Sequence, residues 1–225
     1  MTDVEVSQRP ARGLRAASAR GCLWAAQVTY AADREYVGTG IEDEVDRAYR
    51  GVPQVGDLAA GLAARGVPVI SGLAAGIDTA AHTTALAAGG RAVAVIGTGI
   101  DRAYPAQNAA LQEEIATKGL LISQFLPGAP PTKTSFPMRN AVMSGYALAT
   151  VVIEAAYQSG ARMQARLALQ HGRHVFLMRS LLQHDWARGY AERPGVTIVD
   201  NAEHVFDGPQ RLAAQSAEST ELVWA

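Results

Sequence analysis

The stretch Val69-Ile70-Ser71-Gly72-Leu73-Ala74-Ala75-Gly76-Ile77-Asp78 decides how this chain is read. Val67, Val69 and Ile70 form the end of a short buried strand, Ser71-Gly72 a tight turn, and Gly76 to Ala88 an alanine-rich helix. Turn glycines let backbone N–H groups approach a ligand with no Cβ in the way, and a helix start offers unpaired N–H donors with a partial positive charge. Such a place favours phosphate. The same arrangement returns at Val93-Ala94-Val95-Ile96-Gly97-Thr98-Gly99. In a parallel sheet both glycine turns open on one rim.

Working outward, β-like runs alternate with helical ones. Strands are expected at 67–70, 91–96, 120–123, 150–153, 174–176 and 196–198. Helices are expected at 76–88, 106–118, 136–147, 160–171 and about 185–191, preceded by one from Val55 to Arg65 that ends at Gly66 as a C-cap. Val93-Ala94-Val95-Ile96 and Val151-Val152-Ile153 are apolar on both faces, as central parallel strands are. The fold class is therefore α/β: a doubly wound, mostly parallel sheet with helices on both faces. Leu126 to Thr134, rich in Pro and Gly, is the one long loop of the regular region.

The amino-terminal part is less regular. Residues 1–55 read as a divergent segment, partly flexible, with Arg9, Arg12, Arg15 and Arg20 on an arm that is either solvated or in contact with phosphate. Cys22 to Tyr30 is compatible with a strand or a helical turn, and Ile41 to Tyr49 looks helical. Residues 56–210 form the regular domain and 211–225 a frayed tail.

Among 225 residues, 48% are hydrophobic, enough for one full α/β domain. Lys plus Arg number 20 against 21 Asp plus Glu, so a nucleic-acid site has to be a local basic patch rather than a field of the whole molecule. The only cysteine, Cys22, excludes an intramolecular disulfide and a cysteine-based zinc site and suits a reducing compartment. No apolar run approaches the roughly 18 residues that span a membrane, and Asp3 and Glu5 with no apolar core do not read as a signal peptide. A cytoplasmic protein without a cofactor is expected.

Four groups of residues are candidates for function. Asp78 and His82 share a helix face, the carboxylate capping the helix or orienting the turn, the imidazole packing or acting as a functional group. After Gly97-Thr98-Gly99, Arg102 either reaches a phosphate or pairs with Asp101, while Tyr104-Pro105 shapes the loop over the second turn. Lys133, Phe136, Arg139 and Asn140 offer phosphate charge beside a base-stacking face, the pairing that single-stranded nucleic acid requires; alternatively Phe136 anchors its helix to the sheet. Glu154 ends a strand, Ser159-Gly160 leads into the next helix as a cap or a phosphate contact, and Arg162 and Arg166 follow at helical spacing. No nucleophile with a matching acid-base set stands at motif spacing.

Taken together these words resemble the DNA-processing protein A (DprA/Smf) family. The resemblance rests on Ser71 to Asp78 with Ala81-His82, Ala88-Gly89-Gly90-Arg91, Val95 to Gly99, Tyr104-Pro105 and Phe136-Pro137-Met138-Arg139-Asn140. It continues through Val152-Ile153-Glu154-Ala155, Ser159-Gly160 and Ala165 to Leu169, covering about residues 56 to 200. It implies an extended Rossmann-like domain that binds single-stranded DNA, forms a homodimer and helps load a RecA-type recombinase, with no enzymatic reaction. It also implies that the backbone of Ser71, Gly72 and Gly76 and the side chains of Lys133, Phe136, Arg139 and Asn140 line a DNA-backbone pocket.

Two departures stand out. The family opens its sheet with a strand ending in Gly-Ser-Arg, for which Gly38-Thr39-Gly40 is the nearest candidate here. After His174-Val175-Phe176 the family's Pro-Gly turn is replaced by Leu177-Met178-Arg179-Ser180. The first 55 residues read as shorter than the usual amino-terminal helical domain, and no winged-helix sequence follows the regular part. The alternative reading is a nucleotide sensor or a nucleoside-monophosphate phosphoribohydrolase of the same superfamily, although the Pro-Gly-Gly turn of those enzymes is not found here.

Overall fold

The computed structural model describes residues 5–6, 26–31, 52–155 and 160–206, with side chains from residue 53 onward. The described strands are β1 (Glu5–Val6), β2 (Ala26–Ala31), β3 (Val69–Ser71), β4 (Ala92–Ile96), β5 (Leu120–Ser123), β6 (Ala149–Ala155), β7 (His174–Met178) and β8 (Val196–Val199). They form one sheet in the order β1-β5-β4-β3-β2-β6-β7-β8. All neighbours are parallel except β1, which pairs antiparallel with β5 through Glu5 opposite Ser123 and Val6 opposite Ile122.

The described α-helices are α1 (Val52–Ala64), α2 (Ile77–Ala87), α3 (Ala109–Lys118), α4 (Ser135–Tyr146), α5 (Gly160–Gln170) and α6 (Asp185–Ala191). A 3-10 turn over Ala106–Asn108 leads into α3, and a second one, Arg179–Gln183, follows β7. That second turn occupies the place of the Pro-Gly turn the resemblance implies. The end of α1 shows the expected cap: Gly66 has φ +70°, its N–H donates to the Ala63 carbonyl, and the Val67 N–H reaches back to Leu62.

Helices cover both faces, as the doubly apolar strands require. On β4, Val93 and Val95 cluster with Met143 and Ala147 of the α4 side, whereas Ala92, Ala94 and Ile96 cluster with Ile115 of α3. The other half of the sheet shares one larger core with α1, α2, α5 and α6, in which Val55, Leu58, Leu62, Ile77, Ala81, Val151, Val152 and Leu177 are buried. Each such Val, Leu or Ile side chain contributes about 1.5–3 kcal/mol when fully removed from water.

Two amino-terminal segments belong to this same sheet. The undecided stretch 22–30 overlaps β2, which lies between β3 and β6, with Ala26 opposite both Val69 and Ala149. Glu5–Val6, expected within a basic arm, is instead an edge strand. Strand order reverses direction at β2 and β6, so helices wind outward both ways from that point and the carboxyl ends of the parallel strands share one rim. The expected helix at 41–49, the Gly38-Thr39-Gly40 turn, Cys22, the arm arginines, Ser159 and the tail 211–225 lie outside the described residues.

Candidate nucleic-acid interface

The first glycine turn is closed by Asp78. The Ser71 hydroxyl donates to Asp78 Oδ1 at 2.5 Å, and the N–H groups of Gly72 and Ala74 donate to Oδ2 at 3.1 and 3.2 Å. Of the two roles open to this carboxylate, it takes the turn: the α2 N-cap is Gly76, with no side-chain cap hydrogen bond. Burial pushes the Asp78 carboxyl up, against the Arg139 guanidinium, the Ser71 hydroxyl and the Ala74 and Gly72 N–H groups, which all favour its charged form.

Arg139 lies beneath the rim rather than on it. The residue is 7% exposed, its Nη1 donates to the carbonyls of Gly72 and of Val95, the latter at 3.1 Å, and its Nε donates to Asn140 Oδ1 at 2.9 Å. Gly72 thus joins two buried charges, its amide facing Asp78 and its carbonyl facing Arg139. A Cβ on Gly72 would overlap the guanidinium. The glycine is therefore explained by close packing of an arginine, and its N–H is already donated within the protein. Asn140 holds the arginine through its side chain and accepts from Gln164 of α5 through its carbonyl, at 3.0 Å.

The second turn is built in the same manner. Phe136 packs on Gly97, where a Cβ would stand 2.7 Å from its Cδ1, and its ring lies 5.7 Å from that of Tyr104 and 5.6 Å from the Arg139 Cζ. The anchoring role left open for Phe136 is thus present, while the ring stays half-buried. Thr98 is buried, donates its hydroxyl to the Arg102 carbonyl and accepts from Ser123 on its own carbonyl. The Gly99 N–H donates to the Ala129 carbonyl at 2.9 Å. Ser71, Gly72, Thr98, Gly99 and Arg139, expected at the ligand, each make contacts within the protein here, where the long loop and α4 pack onto both turns.

What remains outward is a smaller set. Arg102, Lys133 and Arg162 are exposed, and among the described residues none of them pairs with a carboxylate. The alternative partner of Arg102 is committed elsewhere: Asp101 Oδ1 accepts the Gly128 N–H at 2.6 Å. Ala74 and Ala75 are exposed and Gly76, at φ +91°, is half-buried, as is Gly160 at the start of α5. By position these groups follow β3, β4, β5 and β6, on the carboxyl rim.

Two further groups were not legible as site members. Asn108 donates to the Leu73 carbonyl and to Thr79 Oγ1, both at 2.9 Å, tying the entry of α3 to the first turn. Ser123 couples β5 to the second turn through Thr98. His82 is fully buried; its ring nitrogens make no well-formed hydrogen bond, and burial pushes its pKa down to about 4, so the ring is neutral. No three His, Cys, Asp or Glu among the described residues are grouped as a metal ion would need, and no described helix is long and apolar enough to cross a membrane.

A parallel sheet with reversed strand order, lined at one rim by glycine turns and helix starts, defines a Rossmann-like domain of the type that meets phosphorylated ligands there. Within that class the chain belongs to the DNA recombination-mediator protein A family, whose model matches residues 48–209. A putative DNA processing protein DprA of Mycobacterium tuberculosis is 47% identical over 153 residues, which is 67% of this chain and 39% of that protein. The X-ray structure of DNA processing protein A from Streptococcus pneumoniae superposes with a TM-score of 0.68 at 31% identity, over 82% of this chain and 61% of that one. A structure of DNA processing protein A from Helicobacter pylori, described for its single-stranded DNA binding mode, has the same fold: TM-score 0.68 at 22% identity, over 84% of this chain and 81% of that one. The chain spans about a third to a half of the length of the curated relatives it matches.

Proposed function

We propose that this domain binds single-stranded DNA through phosphate contacts on its carboxyl rim and, as a homodimer in the cytoplasm, passes the strand to a RecA-type recombinase. The observation that carries this reading is the division of labour at α4. Arg139 and Phe136 fix the helix start onto the two glycine turns, while Lys133, two residues before the helix, is left exposed and free of carboxylates among the described residues. Arg102 and Arg162 are exposed cations that follow β4 and β6, at the carboxyl rim of the same sheet. Lys133 with the half-buried Phe136 beside it supplies a phosphate charge and an aromatic edge, the two components that sequence-tolerant binding of a single strand uses.

Family membership supports the nucleic-acid class, and the single-stranded DNA binding mode of the Helicobacter pylori relative supports a single strand as the form bound. The role is binding, with strand transfer left to the recombinase. Competition for a labelled oligo-dT checks it: unlabelled single strand should displace the label at far lower concentration than duplex of equal length. Equal displacement by duplex, or stabilisation by free nucleotides with no oligonucleotide binding, would contradict the reading.

A further inference from the structure

The loop after β5 carries one feature that packing does not explain. Leu126 is 81% exposed, yet the turn that presents it is firmly held. The Ala129 N–H donates to the Leu126 carbonyl at 3.0 Å, and Pro127 followed by Gly128 at φ +81° gives the residue pattern of a type II turn. Gly128 donates to Asp101, Gly99 donates to Ala129, and the Phe125 N–H donates to Ser123 Oγ at 3.1 Å. A Cβ on Gly99 would stand 2.6 Å from the Leu126 carbonyl oxygen, so the seat of the turn is as closely fitted as those of Arg139 and Phe136. A large aliphatic residue is thereby presented to water by a hydrogen-bonded backbone turn.

We propose that Leu126 is a base-contacting wedge, inserting against the faces of unpaired bases while the neighbouring cations hold the phosphates; this rests on the single-stranded DNA reading above. Three observations favour nucleic acid over a protein partner. The turn is hydrogen-bonded to the segment that carries exposed Arg102, whose N–H in turn donates to the Gly99 carbonyl. From Gln124 to Lys133 the loop has no acidic residue and ends on a cation. A single projecting aliphatic is far smaller than the roughly 800 Å² per partner of a stable protein interface, whereas it suits the slot between two unstacked bases, where Leu side chains serve as wedges.

The test compares wild type with Leu126→Ser and Leu126→Met on three probes of equal length: oligo-dT, the same strand with abasic sites, and an oligo-dA containing 2-aminopurine. Wild type should prefer oligo-dT over the abasic strand and raise 2-aminopurine fluorescence by unstacking it. Leu126→Ser should lose about tenfold in oligo-dT affinity, leave abasic binding and the salt slope unchanged, and abolish the fluorescence rise. Leu126→Met should retain most of the preference. If wild type binds but Leu126→Ser matches it on every probe, the wedge is wrong while DNA binding stands. If the serine variant weakens both strands equally and sediments as a monomer where wild type is a dimer, Leu126 belongs to a protein interface instead. If wild type binds none of the strands at low salt, the reading underneath fails as well.

Discussion

The guanidinium of Arg139 donates to the carbonyl of Gly72, 67 positions earlier in the chain, and the amide of that same glycine donates to Asp78. Two buried side chains, from α4 and α2, are thus joined across one turn.

Truncating Arg139 to Ala should leave the Asp78 carboxylate without its buried counter-charge and should destabilise the fold by about 3–5 kcal/mol. Gly72→Ala, which forces the guanidinium aside, should cost about 1–3 kcal/mol. Urea denaturation measures both. A loss under about 0.5 kcal/mol for Arg139→Ala would mean that the arginine is a surface cation after all.

Lys133→Ala should do the opposite. Its unfolding free energy from urea titration should stay within about 0.5 kcal/mol of wild type, while the slope of log K against log salt for oligo-dT should shrink by about 0.7 for one lost phosphate contact. Isothermal titrations at several salt concentrations separate this from a uniform loss of fold.

Gly97 and Phe136 should be energetically coupled. Gly97→Ala alone pushes a Cβ to 2.7 Å from the ring, whereas in a Phe136→Ala background nothing is left for it to strike. A double-mutant cycle should give an interaction of about 1–2 kcal/mol; strict additivity would show that the ring is not seated there.

The buried His82 gives the fold an acid dependence. Its folded pKa is lowered to about 4 from 6.5, so the unfolded chain binds the proton more readily and stability falls as pH drops from about 6.5 towards 4. Half-buried His174, also lowered by burial, acts in the same direction; Asp78, whose carboxyl is raised, acts oppositely as it takes up its own proton. The His82 part amounts to about 3 kcal/mol at full protonation, at 1.36 kcal/mol per unit. The difference between wild type and His82→Leu across that window isolates it, and identical pH profiles would rule it out.

Much of the fold was legible because it is written locally. Ala92–Ile96 is apolar on both faces, so a central strand follows from the sequence alone, and the helix before β3 carries its own glycine stop, Gly66. Glu5–Val6 was not legible: two residues, one of them charged, leave no pattern, and their pairing depends on β5 more than a hundred positions later. At the candidate site, the internal contacts of Arg139 were not legible in the sequence. An arginine near the start of a helix looks like a solvent-facing cation, and the carbonyls of Gly72 and Val95, 67 and 44 positions away, reveal why Arg139 is buried. For the same reason Gly72 and Gly97 looked like space for a ligand, when α4 fills that space itself.

The central claim is that a locally cationic edge on a molecule of net charge -1 binds the backbone of a single strand. Fluorescence anisotropy of labelled oligo-dT between 50 and 200 mM salt tests it most directly, with wild type beside an Arg102→Ala/Lys133→Ala/Arg162→Ala variant. Three phosphate contacts predict a slope of about -2 and an affinity loss of roughly 20-fold over that range for wild type, with a nearly flat response in the variant. Equal affinities and equal slopes for the two proteins would contradict the account.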